Sequence, residues 1–471
     1  MLGILFIALG LLFMHAPIGV IAQQKTELTL ENCIDLALER NLQLRLQKNA
    51  VEGAQVNYYQ SRMSYLPSFN ASLDYRNNFG TTFDLIQFQR VSRYTGFSNP
   101  TLVMSTPLFN GFLRYYTLQQ NLYNMQAAGA ALNKVQNDIL INVLALYLQL
   151  VIDSGNIQVA ETRKELLRRQ LQRVQNLYEN GRATKAEPLN VQAQIANETL
   201  NIVNLNNFRA RNRFNLLQLL QLDTDSEYEF KVPALPPDDF MRESLPPLEE
   251  VQKNAKEKMP EILEQKFRIA SSAYGIRAAK ASLQPTLSLN AGLASNFSSN
   301  GGIPIYEVQT ANIGGYEFPV SRELKRMERS TYFAQLEDNF SQFVNLSLNI
   351  PIFNGYRART NVKLAELGQK NAELNLEITQ NNLARTVQQA YLDVQAAKAK
   401  YETIEQQLAA TEEAFKIAEV QYGAGAINFY AYLETLNNKT RLETELIQTR
   451  YDYFFKRKIL DVYNGKIITL D

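Results

Sequence analysis

From Gly355 to Gln421 the chain runs for 67 residues without a proline, and one continuous helix of that length would span ~100 Å at 1.5 Å rise per residue. Its second half carries Leu383, Val387, Ala390, Val394, Ala397, Tyr401, Ile404, Leu408, Thr411, Phe415, Ala418 and Tyr422. The steps between them alternate four and three without a break. The repeat is therefore seven residues, and the helix must supercoil around a partner.

Just before this run, Val344, Leu346, Leu348, Ile350 and Ile352 alternate with Phe343, Asn345, Ser347 and Asn349, the period-2 pattern of a strand with two unlike faces. A turn with Pro351 and Gly355 joins strand to helix. The same arrangement occurs earlier at a constant offset of 244 residues: an alternating stretch over 101–108, a turn with Pro107 and Gly111, then 67 proline-free residues to Leu177. The offset maps the seam onto Ile139, Val143, Leu146, Leu150, Asp153, Ile157, Ala160, Lys164, Leu167, Leu171, Val174 and Tyr178, with only Asp153 and Lys164 off pattern. The chain is an internal duplication.

Upstream of each such unit lies a helical pattern followed by a strand, here at an offset of 218, so the second inter-strand loop holds a 26-residue insertion within Ser295 to Ser341. It contains a polar stretch, Ser298 to Gly302, and a charged, helix-compatible run from Arg322 to Arg329. The expected organisation is a signal peptide over 1–22 and a first repeat over 23–222, with helix 31–64, strands 66–76 and 101–108, and helices 111–177 and 187–222. A Pro-rich linker over 223–247 follows. The second repeat, 248–463, has helix 248–283, strands 285–294 and 343–352, and helices 355–421 and 428–463; residues 464–471 form a tail. Leu189, Ala193, Ala196, Leu200, Val203, Asn207, Ala210, Phe214 and Leu217 give the first closing helix its own heptad, suited to pairing with the preceding seam.

The apolar run Leu2 to Val20 is interrupted by Gly3, Gly10, Pro17 and Gly19 and ends in small residues, which favours an export signal over a membrane anchor. The single histidine, His15, lies inside it, and Cys33 is the single cysteine. His/Cys metal clusters, Ser-His-Asp triads and disulfides are thereby excluded for the mature chain. With 48 basic against 47 acidic residues, a net charge of +1 leaves no footprint for nucleic acid. No phosphate-binding loop is present, so no cofactor and no catalytic residue are expected.

Four two-faced strands suit either a sheet packed on helices or a membrane barrel. The export signal and strand lengths near the ~9–11 residues of a tilted spanning strand favour the barrel. A sheet in lipid must close on itself, and four strands are too few, so several chains must share one barrel. Charges such as Arg163, Lys164, Glu165, Arg168 and Arg169 keep the long helices in water.

The leading helix Glu31 to Leu38, the repeated Pro-x-Phe-Asn-Gly turn and the Tyr-x-x-Gly turns at Tyr178–Gly181 and Tyr422–Gly425 resemble the TolC family of outer-membrane efflux channels, over nearly all of the mature chain. The resemblance implies a mixed α/β membrane protein: a homotrimer with a 12-stranded β-barrel in the lipid bilayer, continued by a helical barrel across the periplasm. It implies docking to a periplasmic membrane-fusion adaptor and an inner-membrane pump, or service as the duct of a type I protein secretion system. A non-conducting coiled-coil envelope protein is the reading from a different class. The family's gate lies at the periplasmic tip, where Glu187, Tyr422 and Glu434 are the matching candidates and Tyr178, Gly181, Gly423 and Gly425 the candidate docking turns. Where familiar members carry an arginine and an aspartate, this chain has Ile427 and Ala431. Glu187 and Glu434 suit a helix N-terminus equally well.

Overall fold

The computed structural model describes residues 26–84, 88–92, 95–223, 228–231, 240–241, 243–299, 302–329 and 331–466. The expected signal peptide lies outside these residues, as do Ser226, Asn300, Gly301 and the end of the tail. The chain divides into two compact units. In order, its elements are β1 (Thr26–Leu28), α1 (Leu30–Arg40), α2 (Leu42–Met63), β2 (Ser68–Asn78), β3 (Thr81–Asp84), β4 (Gln89–Ser92), β5 (Thr95–Phe109), α3 (Leu113–Glu179) and α4 (Ala186–Leu219). After these come β6 (Tyr228–Phe230), α5 (Leu248–Lys258), α6 (Pro260–Ala281), β7 (Thr286–Ala294), β8 (Phe297–Ser298), β9 (Gly302–Ile313) and β10 (Tyr316–Arg329). The chain closes with α7 (Tyr332–Asp338), β11 (Ser341–Asn349), α8 (Arg357–Gly423) and α9 (Phe429–Tyr463).

Local backbone chemistry repeats with the sequence. Each helix expected to run unbroken before the first strand is two helices. Asn41 ends α1, and its side-chain Oδ1 accepts from Gln43 N–H (2.9 Å) and Leu44 N–H (3.2 Å), capping α2. At the equivalent site in the second repeat, Met259 is extended because Pro260 follows it, and Pro260 opens the next helix. The long helices begin after paired left-handed residues, Gly111–Phe112 and Gly355–Tyr356. For the non-glycine member of each pair this costs roughly 1–2 kcal/mol.

Unit 1 comprises Met1–Leu46, Asn133–Met259 and Leu383–Asp471. Its heptad seams are buried as the spacing requires: Leu383, Val387, Val394, Ala397, Tyr401, Ile404, Leu408, Phe415 and Ala418 on α8, and Ile139, Val143, Leu150, Ala160, Leu167 and Val174 on α3. The off-pattern Asp153 is also buried, and its carboxylate accepts from Gln149 (3.0 Å) and from Asn212 of α4 (2.7 Å), as a buried charge must. Of the heptad expected to face inward on α4, only Leu217 near its end is buried. Leu189 (53 %), Leu200 (61 %), Val203 (50 %) and Phe214 (50 %) are exposed, whereas Val191, Glu198, Ile202 and Leu216 are buried. The helix has two apolar stripes, and the one offset by two residues faces its own chain. The linker contributes β6, which pairs in parallel with β1; Tyr147 Oη donates to Leu28 O (3.3 Å) and to Lys231 O, and Met241 is buried.

Unit 2 comprises Gln47–Leu132 and Pro260–Asn382. Its sheet runs β11-β7-β5-β2, all antiparallel, with β8 beside β5. The register sorts the faces: Leu346 opposite Leu289, Leu348 opposite Leu287 and Phe69 opposite Met104 on one, Ser347 opposite Ser288, Asn345 opposite Asn290 and Ser68 opposite Ser105 on the other. Hydrogen bonds tie the polar face, Ser105 to Asn290 (2.6 Å) and Ser72 to Thr101 (2.7 Å). Strand limits differ from expectation. β5 begins at Thr95 rather than 101, passing through Pro100, and β11 ends before Pro351 rather than at 352. The expected helix-compatible run Arg322–Arg329 is instead strand β10, paired with β9 across the Gly314–Gly315 turn, where both φ values are positive, as the favoured two-residue hairpin turn requires. Cross-strand pairing overrides the charge pattern there.

Candidate functional site: the hairpin tips

Helices α3 and α4, and α8 and α9, form two hairpins whose turns close in the same way. Gly181 N–H donates to Tyr178 O (2.9 Å) and Arg182 N–H to Leu177 O (2.8 Å); Gly425 N–H donates to Tyr422 O (3.1 Å) and Ala426 N–H to Gln421 O (2.8 Å). These are the 5→2 and 6→1 bonds of a Schellman cap, and Gly181 (φ +70°) and Gly425 (φ +74°) supply its left-handed residue. Gly423 does not share that role, since it is the last residue of α8 and lacks a positive φ.

Below the turns the four helices share an apolar cluster containing Leu167, Val174, Val191, Phe415, Phe429, Tyr432, Leu433 and Leu436. Ile427, at the family's basic position, packs against it. The two tip tyrosines differ: Tyr178 is exposed, whereas Tyr422 stacks on Tyr432 (4.9 Å between centroids, 16° between planes) and accepts a hydrogen bond from Gln170 Nε2 (3.0 Å). The guanidinium carbon of Arg173 lies over the Tyr422 ring, 5.2 Å from its centroid. Burial pushes the Tyr422 phenol above its ordinary range, aided by the Glu187 charge and opposed by Arg173 and the Gln170 bond.

A cleft of about 490 Å³ brings Tyr422, Gly423, Gly425 and Glu187 together with Arg173 and Arg182. Glu187 Oε1 accepts from Thr184 N–H (3.0 Å) and Thr184 Oγ1 (3.2 Å), which is the helix-terminus role of such a carboxylate. Glu434 is exposed on α9 and is not among the residues lining this cleft. Arg173, which sequence reasoning missed, stands opposite Ile417 in the repeat, so the duplication held no signal for it. The strand-to-helix glycines also divide. A Cβ on Gly111 would lie 2.9 Å from Ala281 O and 2.6 Å from Gln284 Cβ, whereas Gly355 has open space and is required only for its φ of +64°. Pro107 O accepts from Arg114 (2.9 Å), and Pro351 follows β11. Among the described residues no group of three His, Cys, Asp or Glu side chains is placed to hold a metal ion.

The family described as outer membrane efflux protein matches residues 33–221 and 251–458. Outer membrane protein TolC of Escherichia coli (strain K12) is 21 % identical over 346 residues, 73 % of this chain, and the chain spans only 64 % of that relative's length. The CusC crystal structure superposes with a TM-score of 0.75 at 17 % identity, covering 92 % of this chain and 91 % of CusC. VceC from Vibrio cholerae gives 0.74 at 14 % identity, covering 93 % and 96 %. At these identities the likeness is one of fold.

Proposed function

Since the chain belongs to the outer membrane efflux protein family, and is accordingly an outer-membrane protein extending into the periplasm, we propose that it forms a homotrimeric exit duct for small molecules, fed by a periplasmic adaptor and an inner-membrane pump. The observation that carries this reading is the sheet of unit 2. Its faces are sorted into apolar and polar, and its path ends at β11 and β2 with no further strand among the described residues. In a bilayer such edges must be paired, and three copies of four strands give a 12-stranded barrel with apolar side chains toward lipid. The exposed heptad on α4 suits a second copy of the chain in the same way.

The polar face then lines the lumen, and the tip clefts form the periplasmic end, with Tyr422 as the narrowing residue and Glu187 and Glu434 as a source of negative charge. Transport by such a duct needs no catalytic group. Purified protein reconstituted in a planar bilayer is expected to conduct ions in discrete steps. A protein that assembles and inserts yet passes no current is a structural envelope protein instead.

A further inference from the structure

Strands β9 and β10 pair with each other from the Gly314–Gly315 turn down to Gly302 and Arg329 and, among the described residues, with no other strand. They lie between the end of β7 and the start of β11, hence at the end of the sheet away from the joints to α3 and α8. A two-stranded ribbon of this kind is marginally stable in water unless something covers one of its faces. The register shows which face. Ile313 stands opposite Tyr316 and Ala311 opposite Phe318, and cross-strand partners share a side, so these four make one apolar surface beside the turn. Ile313 (65 %), Tyr316 (74 %) and Phe318 (50 %) are exposed. On the opposite face Asn312 meets Glu317 and Thr310 meets Pro319, with Val308 further from the turn.

The ribbon's edges are blunted. Pro304 in β9 and Pro319 in β10 have no N–H to offer an added strand, so a partner must engage the apolar face through side chains. An exposed apolar surface rimmed by polar residues marks an interaction site. Lipid is a poor occupant, because inserting the tip would carry the carboxylate of Glu317, which lies between Tyr316 and Phe318 in the chain, into the bilayer. Geometry favours a second copy of the chain. The 12 residues of β9 span ~40 Å at ~3.3 Å each. A 12-stranded barrel with ~4.8 Å between strands and a tilt of ~40° is ~24 Å across, which sets three equivalent points on its rim ~21 Å apart. Each ribbon is thus longer than the distance to its neighbours' roots, and tethering at that range gives millimolar effective concentrations.

We propose that the β9–β10 ribbons of three copies pack on one another through Ile313, Tyr316 and Phe318, forming a crown beyond the barrel rim. The proposal rests on the trimeric duct reading and goes beyond it by giving the insertion between β7 and β11 a task, that of holding copies together outside the barrel. Tyr316 and Phe318 suit the contact, since each brings a large apolar area to it on a stiff ring. The first repeat has only the short β3–β4 pair at the corresponding place, so the crown is built by the second repeat.

Tyr316→Cys tests the contact directly, because Cys33 is buried and the introduced thiol is the one that reacts. In the full-length trimer treated with a mild oxidant, Tyr316→Cys is expected to form disulfide-linked dimers roughly tenfold faster than Glu317→Cys, whose side chain leaves the opposite face. The double variant Tyr316→Ser/Phe318→Ser should be cut within the ribbon by added protease several times faster than the parent while the trimer persists. Trimer mass is recorded for the parent and for each variant. No linking, or equal linking from the two faces, in an intact trimer would overturn the packing. If the thiol is then shielded from a maleimide on intact cells yet labels in the purified trimer, the face belongs to an outside partner and the crown is wrong. A trimer that conducts without linking leaves the duct reading standing by itself; a monomeric parent removes both.

Discussion

Arg173 of α3 lies over the ring of Tyr422 at the end of α8, its guanidinium carbon 5.2 Å from the ring centroid, and so places a cation at the tip although Ile427 occupies the family's basic position. Contacts of this type contribute ~0.5–1 kcal/mol at exposed sites. Arg173→Ala should therefore raise single-channel conductance modestly, and Tyr422→Ala more strongly, since it also removes the stack on Tyr432. Tyr422→Phe, which loses only the Gln170 bond, should stay near the parent.

The pH dependence of this contact follows from the phenol. Its pKa is raised in the folded state, chiefly by burial and then by Glu187. A raised pKa contributes stability that is complete below the unfolded value of ~10 and is lost as pH rises through the folded value. Tip conductance should thus be insensitive to Tyr422 ionisation across neutral pH. Phenolate absorbance of the parent minus that of Tyr422→Phe should show this residue titrating later than a free tyrosine.

On the sheet, Leu348 and Ser347 occupy opposite faces by register. Leu348→Arg should impair barrel assembly by ~2–4 kcal/mol, and Ser347→Arg far less. Refolding yields of trimer in lipid measure the difference; equal tolerance would remove the membrane assignment of this face.

Two glycines at equivalent joints make a matched pair. Gly355→Ala meets only the cost of a left-handed residue, roughly 1–2 kcal/mol, whereas Gly111→Ala also collides with Ala281 O and Gln284 Cβ. Thermal unfolding should show the larger loss at Gly111.

Much of this architecture is legible in the amino-acid sequence, and the exceptions have physical causes. The α3 and α8 seams and the duplicated turns can be read because a seven-residue repeat and a glycine at fixed offset each have one structural solution. The inward face of α4 cannot, because Leu189, Leu200 and Val203 form as good an apolar stripe as Val191 and Ile202, and periodicity does not say which stripe meets its own chain. Asn41 hides its helix break because one capping side chain inside an apolar pattern looks like a surface polar residue. β10 is obscured by charges that suit a helix until β9 is there to pair with them. At the tip, Tyr422 is visible as the last seam residue, while Arg173 depends on a cross-hairpin contact that no local pattern encodes.

The path β11-β7-β5-β2 also dictates how the proposed trimer can assemble. One chain presents two free strand edges; two chains joined side by side still present two, and so do three in an open arc. No backbone pairing at the ends is gained until the last edge meets the first, when both disappear at once. Intermediates in lipid thus carry the full penalty of unpaired peptide groups, and ring closure becomes the step that makes insertion all-or-none.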